Sequence, residues 1–179
     1  LAEGADSFLG KGSVTIAEVR STSPSLCAVA DSCTIHLDRR LTRGETLDSA
    51  LAQVASLPSV QAAGGTVTLL DYARLSYTGL VYPARKYYPT WLMEESDPTI
   101  RAAVEAAGDA LGRPPLLGKW TFSTNGIATR GLHGVPTVGF GPGDEVYAHT
   151  PSDQCPVDHL TRAAHFYAVF PMRFAASRG

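Results

Sequence analysis

The sequence predicts a mixed fold, an α+β layer followed by the edge of an open α/β sheet. Three observations predict it. Over the first 75 residues the periodicities run strand, strand, helix, strand. Beyond residue 95, two long stripes of apolar residues at three-four spacing alternate with short extended stretches, the order of an α/β sheet. The chain of 179 residues is 44% hydrophobic, enough to bury a core for one domain or two small ones.

The elements follow in order. Residues 13–20 place an apolar side chain at nearly every second position, as a half-buried strand does, and a Ser/Thr/Pro loop follows at 21–25. Residues 33–38 alternate without a fault. Cys33, Ile35 and Leu37 take one face, and Thr34, His36 and Asp38 the other. Thr42 and Glu45 have capping-box spacing and predict a helix start. Leu47, Ala50, Leu51, Val54 and Leu57 form its apolar stripe, and Pro58 stops it. Gly64 and Gly65 turn the chain into a strand over 66–72, with Val67 and Leu69 on one side. Residues 76–95 hold four tyrosines, a tryptophan and prolines without a clear period, and read as a junction between two layers or domains.

Asp97-Pro98 predicts the next helix, an N-cap acceptor followed by a proline whose missing N–H does no harm there. Its stripe is Ile100, Ala103, Val104, Ala107 and Leu111, and Gly112 ends it. Strands are expected at 116–121 and 136–140, with a turn or helix start at 123–126 between them. A last helix is expected over 156–170, with Val157, Leu160, Ala164 and Tyr167 inward and Pro171 as its stop.

Charged residues are 18% of the chain, below the roughly 25% of an average soluble protein. With 15 basic and 17 acidic residues, a net charge of −2 leaves no footprint for nucleic acid or an anionic membrane. No apolar run approaches the roughly 20 residues of a membrane span. The first residues also lack a basic start and an apolar signal core, so a cytoplasmic protein is expected. Cys27, Cys33 and Cys155 are an odd number without a CxxC, which predicts reduced thiols. Cys33, on the apolar face of its strand, is expected to be buried. The chain begins with Leu, which allows a complete small protein or the tail of a larger one.

None of the five histidines, His36, His133, His149, His159 and His165, stands in an HExxH pair or at zinc-finger spacing with cysteines. His149 follows a glycine-rich loop at the end of an expected strand, where open α/β sheets place their ligands. It is either a functional residue or a surface-loop histidine. Ser123, Thr124, Asn125 and Gly126 offer hydroxyls, an amide and N–H groups at an expected helix start. That suits an anion, or forms a plain N-cap. Asp38-Arg39-Arg40 ends a strand with two guanidinium groups able to bind carboxylate, or merely solvated. His159 and His165, six residues apart on one helix, face different ways and read as surface or boundary residues.

Five runs, in order, carry a resemblance: Ser23-Pro-Ser-Leu-Cys-Ala-Val-Ala-Asp-Ser-Cys33, Asp38-Arg-Arg-Leu-Thr-Arg-Gly-Glu-Thr46, Tyr77-Thr-Gly-Leu-Val-Tyr-Pro83, Lys119-Trp-Thr-Phe-Ser-Thr-Asn-Gly126 and Gly139-Phe-Gly-Pro-Gly143. From about Phe8 to Phe174 the chain resembles the C-terminal part of the zinc-dependent metallohydrolase family. That family contains acetylornithine deacetylase, succinyl-diaminopimelate desuccinylase, aminoacylases and carboxypeptidases, and the resemblance is strongest to its selenium-metabolism subgroup.

The resemblance implies a metallopeptidase-type catalytic α/β domain carrying an inserted lid. Residues 1–75 would be part of a ferredoxin-like lid that dimerises, and residues 76–179 the C-terminal part of the catalytic domain. It implies His149 as a metal ligand, and Arg40 as the lid arginine that holds the substrate carboxylate. Ser123, Thr124, Asn125 and Gly126 would line the substrate pocket. It implies two zinc ions, with cobalt or manganese as substitutes, a small-molecule or dipeptide-like substrate and a homodimer. Cys27 stands where many relatives have a substrate-contacting Asn, and Asn125 where many have Asp; both departures are shared with the selenium-linked subgroup.

The family's HxD motif, bridging Asp, Glu-Glu pair with the general base, and lid His are expected upstream of Leu1. The expectation is therefore the C-terminal portion of an amidohydrolase acting on an amide beside a free carboxylate, inactive by itself. The alternative from another class is a non-catalytic α+β module that self-associates or binds a partner. A third outcome is an incomplete product whose exposed apolar surface aggregates.

Overall fold

The computed structural model describes residues 5–120 and 122–177, a mixed α and β protein of small antiparallel sheets and several helices. It forms two units, Leu1–Thr90 and Trp91–Gly179. The division falls inside the aperiodic stretch 76–95.

In the first unit, β1 (Ala5–Asp6) and β2 (Gly10–Lys11) make a small antiparallel pair that has no signal in the sequence periodicity. Asp6 closes its turn, its Oδ1 accepting from the N–H of Phe8 at 2.8 Å and of Leu9 at 2.7 Å. The two expected strands pair antiparallel as β3 (Ser13–Ser21) and β4 (Cys33–Arg40). Ile16 lies opposite Leu37 and Val19 opposite Ile35, although Ile16 and Val19 are three residues apart. A bulge at Ala17 makes this possible: the extra residue restores the phase, so both side chains fall on the face of Ile35 and Leu37. That face is not covered, with Ile16 62%, Val19 59% and Ile35 54% exposed. Cys33 is exposed with it, which corrects its expected burial, and all three cysteines are free thiols.

The helix start moves. Glu45 does reach back to the Thr42 N–H at 2.8 Å. Gly44, however, sits at φ +86, outside the helical region, so no helix can run through that turn. The helix α1 (Leu47–Ala55) starts after Thr46, whose capping box is closed by Ser49. The expected stripe of Leu47, Ala50, Leu51, Val54 and Leu57 is half-buried throughout. Pro58 ends nothing further; at the first helical position it opens the short α2 (Pro58–Ala62). Of the strand expected over 66–72, only β5 (Asp71–Tyr72) forms, paired with β6 (Ala84–Arg85). The Leu70 carbonyl still accepts from Lys86 N–H at 2.8 Å, but among the described residues β3 and β4 pair only with each other, so no sheet strand lies beside 66–69.

In the second unit, α3 (Pro98–Leu111) is capped as expected, the Asp97 carboxylate accepting from Thr99 N–H at 2.8 Å. Gly112 ends it in the left-handed conformation, φ +66. Ile100 and Ala102 are buried on α3, and the face turned to the core is made of small side chains, Ala103, Ala106 and Ala107. These let α4 (Val157–Ala176) come close and insert Phe166, 2% exposed, into the core. Phe166 stacks on Phe140 (4.1 Å between centroids) and on Phe170 (5.5 Å).

Two expectations for α4 are corrected. Its inward face is His159, Ala163, Phe166 and Phe170, while Val157 is 77% and Tyr167 57% exposed. The phenylalanines supply the larger apolar area and therefore choose the face. The helix also continues through Pro171. Its last turn is held to α3 by Arg173, whose Nη2 lies 2.7 Å from Asp109, and is braced within α4 by the Phe170–Phe174 stack.

The strands expected at 116–121 and 136–140 are not there. Among the described residues, from which Thr121 is absent, the second unit has no strand. Side chains hold these extended segments instead: Trp120 lies against Gly139, and Val138 and Phe140 pack on the α3–α4 core. No helix among the described residues is long and apolar enough to cross a membrane.

Candidate functional site

The glycine-rich segment 139–149 is positioned from beneath by α4. The Phe140 ring stacks on Phe166, the Phe140 carbonyl accepts from the Tyr167 hydroxyl, and the Gly143 N–H donates to His159 Nδ1 at 3.3 Å. Gly143 takes φ +97, a conformation that costs a side-chain-bearing residue heavily. Asp144 then caps a 3-10 turn, Glu145–Tyr147, accepting from Val146 N–H at 3.1 Å. The chain arrives at His149 with φ +62, the one non-glycine in the left-handed region among the described residues. His149 is exposed, and among the described residues its ring makes no hydrogen bond.

Ser123 to Gly126 lead into a π-helical turn, Ile127–Leu132, so the expected helix start is present but the turn is wider than α. Thr124 Oγ1 accepts from Gly126 N–H at 3.2 Å, and the Asn125 carbonyl accepts from Thr129. Gly126 is buried under Trp91; a Cβ there would stand 2.2 Å from the indole Cζ2. The glycine is therefore required by close approach, and the exposed Ser123 and Asn125 are held out from a fixed backbone. No hydrogen bond joins His149 to residues 123–126.

Arg40 belongs to the first unit and sits two residues from Asp38 on one face of β4. Its Nε lies 3.1 Å from Asp38 Oδ1 and its Nη2 3.1 Å from Oδ2, a bidentate pair with both side chains exposed. An exposed pair of this kind is worth up to about 1 kcal/mol, so exchanging Asp38 for a ligand carboxylate costs little. Its neighbour Arg39 has a different task. On the opposite face and 13% exposed, it bonds Glu45 at 2.5 Å and Gln53, tying β4 to α1.

An open cleft of about 250 Å³ lies beside the glycine-rich segment, lined by Trp120, Phe122, Gly143, Asp144, Glu145 and Cys155 among others. Trp120 and Phe122 stack at 5.9 Å on one wall. Ala148 lines it, whereas His149 and residues 123–126 do not. The sequence reading missed this cleft and the anchoring role of His159. A signal for the latter exists: His159, Ala163, Phe166 and Phe170 share the i, i+4, i+7, i+11 spacing of one helix face.

An imidazole such as His149 suits zinc, cobalt or manganese as one ligand. Among the described residues, however, no three His, Cys, Asp or Glu side chains gather to hold an ion.

The chain is 49% identical over 174 residues to "Uncharacterized protein YgeY" of Escherichia coli (strain K12). It is equally similar to the protein of the same name in Escherichia coli O157:H7. Each alignment covers 97% of this chain and 43% of the relative, so the chain spans less than half the length of the curated relatives it matches. No protein-family profile matches it.

Proposed function

We propose that the chain is part of a metal-dependent hydrolase that cleaves an amide bond beside a free carboxylate. In this reading His149 is one metal ligand, Arg40 holds the substrate carboxylate, and Ser123, Thr124, Asn125 and Gly126 line the substrate pocket. The observation that carries the reading is the backbone of His149. A left-handed conformation costs a non-glycine residue about 1–2 kcal/mol, and such strain clusters where a side chain must be presented. Here it presents an uncommitted imidazole at the end of a segment braced by α4.

Residues 1–75 then correspond to a partial lid and residues 76–179 to part of the catalytic domain. When bound, zinc polarises the scissile carbonyl and lowers the pKa of a water. The ions and the general base need donors beyond those gathered in the described residues, and a protein of the relatives' length has room for them. What this chain's own residues do is present one imidazole, one exchangeable guanidinium and a rigid polar loop.

The test compares this chain with a version extended to the relatives' length, by metal analysis and by hydrolysis of N-acetyl amino acids. The extended protein is expected to bind zinc and turn over, and His149→Ala to lower its zinc content. Unchanged zinc content in His149→Ala overturns the ligand assignment, and high activity in the short chain overturns the account of the site.

One observation favours a second reading, a non-catalytic module that self-associates. The chain exposes 12860 Å². Even two separate globules of half its 18.9 kDa mass would expose only about 10,000 Å². The uncovered Ile16, Val19 and Ile35 face is part of that excess. A stable dimer of this chain, indifferent to chelators and without turnover in the extended protein, would select this reading. In the hydrolase reading the lid dimerises as well, so zinc dependence and turnover, rather than association, decide between them.

A further inference from the structure

We propose that His159 is a positioning residue: through its Nδ1 acceptor it fixes the backbone of the 139–143 segment, and thereby where His149 stands. The inference rests on the hydrolase reading for its consequence in catalysis, but not for its geometry. His159 sits half-buried on the covered face of α4, one turn before Ala163, while Val157, Asp158 and Leu160 around it are exposed. The Gly143 N–H points at its Nδ1 at 3.3 Å. To accept there the ring must carry its proton on Nε2. The hydrogen bond is therefore directional and sets the tautomer.

The position of Gly143 matters. The bond to His159 holds a glycine at φ +97 at the point where the chain leaves the Phe140–Phe166 stack for the turn that leads to His149. Asp144, the next residue, caps that turn. Without the bond, the segment from Gly141 to His149 keeps Phe140 at one end and only short-range turn bonds, among them Tyr147 N–H to Asp144, Ala148 N–H to Glu145 and Thr150 to the Tyr147 carbonyl, none of which ties it to α4. A shift there moves both the imidazole of His149 and the cleft wall formed by Gly141 to Glu145.

The atom that accepts is specific, which gives the test its discrimination. Asn Oδ1 is bonded to the same carbon position as His Nδ1 and can take its place, whereas Gln carries its oxygen one bond further out and Leu carries none. Amide hydrogen exchange is measured at Gly143 in this chain for wild type, His159→Asn, His159→Gln and His159→Leu. Exchange is expected to quicken on the order of fivefold in the Gln and Leu variants and to stay near wild type in Asn. Melting temperatures identify any variant whose whole fold is weakened. In the protein extended to the relatives' length, turnover is expected to fall about tenfold or more in Gln and Leu and to be rescued in Asn.

Unchanged Gly143 exchange in His159→Leu overturns the anchor. Unchanged turnover in His159→Leu, in an active extended protein, overturns the positioning role. An extended wild-type protein with no turnover overturns the hydrolase reading, while the exchange result still decides whether the anchor exists.

Discussion

The indole of Trp91 closes over Gly126 so tightly that a methyl group on that glycine would stand 2.2 Å from Cζ2 and 2.6 Å from Cε2. Trp120 stands in the same relation to Gly139, with a Cβ 2.2 Å from Cζ3. The two glycines differ in what can yield. Trp91 is half-buried and Gly126 buried, whereas Trp120 is 43% exposed and can swing outward. Gly126→Ala is expected to cost about 1–3 kcal/mol as overpacking, and Gly139→Ala to cost less. Urea unfolding followed by tryptophan fluorescence measures both. Equal losses would mean that Trp91 is freer than its burial implies.

Legibility differed by element for a physical reason. The strands β3 and β4, though not their pairing, and the Asp97 cap are legible in the sequence because alternation and capping are local, and each needs only neighbours in sequence. The Ala17 bulge, by contrast, exists only as a mismatch between two strands, so neither strand shows it alone. The α4 face was misread because the choice between the Tyr167 and Phe166 stripes is made by the alanines of α3, which lie far away in sequence. At the site, Arg40, Ser123 to Gly126 and His149 were singled out by motif. His159 was not, because its partner is a backbone N–H 16 residues away.

Pro171 lies inside α4, where it denies the helix the N–H that would reach the carbonyl of Tyr167. Proline in a helix interior is about 3 kcal/mol less favourable than alanine, offset in part because proline stiffens the unfolded chain. Pro171→Ala is therefore expected to raise stability by about 2 kcal/mol, read as a higher urea midpoint at unchanged slope. No gain would mean that the turn beyond residue 171 is held by the Arg173 and Phe174 contacts regardless of its backbone bonds.

Arg173 ties that last turn to α3. Its side-chain hydrogen bond to Asp109 raises the guanidinium pKa, helped by the charges of Asp109 and Glu105 and opposed by desolvation. A folded-state pKa above the unfolded one means that the contribution is fully present below the unfolded value, which for a guanidinium lies far above neutral pH. It is lost only as pH rises further, through the raised folded value. Neutral pH therefore does not modulate Arg173, but salt does. Asp109→Asn is expected to lower the unfolding midpoint at low salt, with the difference shrinking near 1 M, where the Debye length is about 3 Å. A loss independent of salt would point to packing rather than charge.

The left-handed backbone of His149 separates strain from chemistry. If φ +62 is imposed by the segment around it, glycine at that position relieves the clash between Cβ and the carbonyl that alanine retains. His149→Gly is then expected to be about 1 kcal/mol more stable than His149→Ala in urea unfolding. Both variants lack the imidazole, so in the protein extended to the relatives' length both should lose zinc to the same degree. Glycine recovering stability without recovering zinc would mean that the segment tolerates a strained residue there for the sake of its side chain. Equal stability of the two variants would mean that the backbone at residue 149 relaxes freely, and the strain argument for its role would fall.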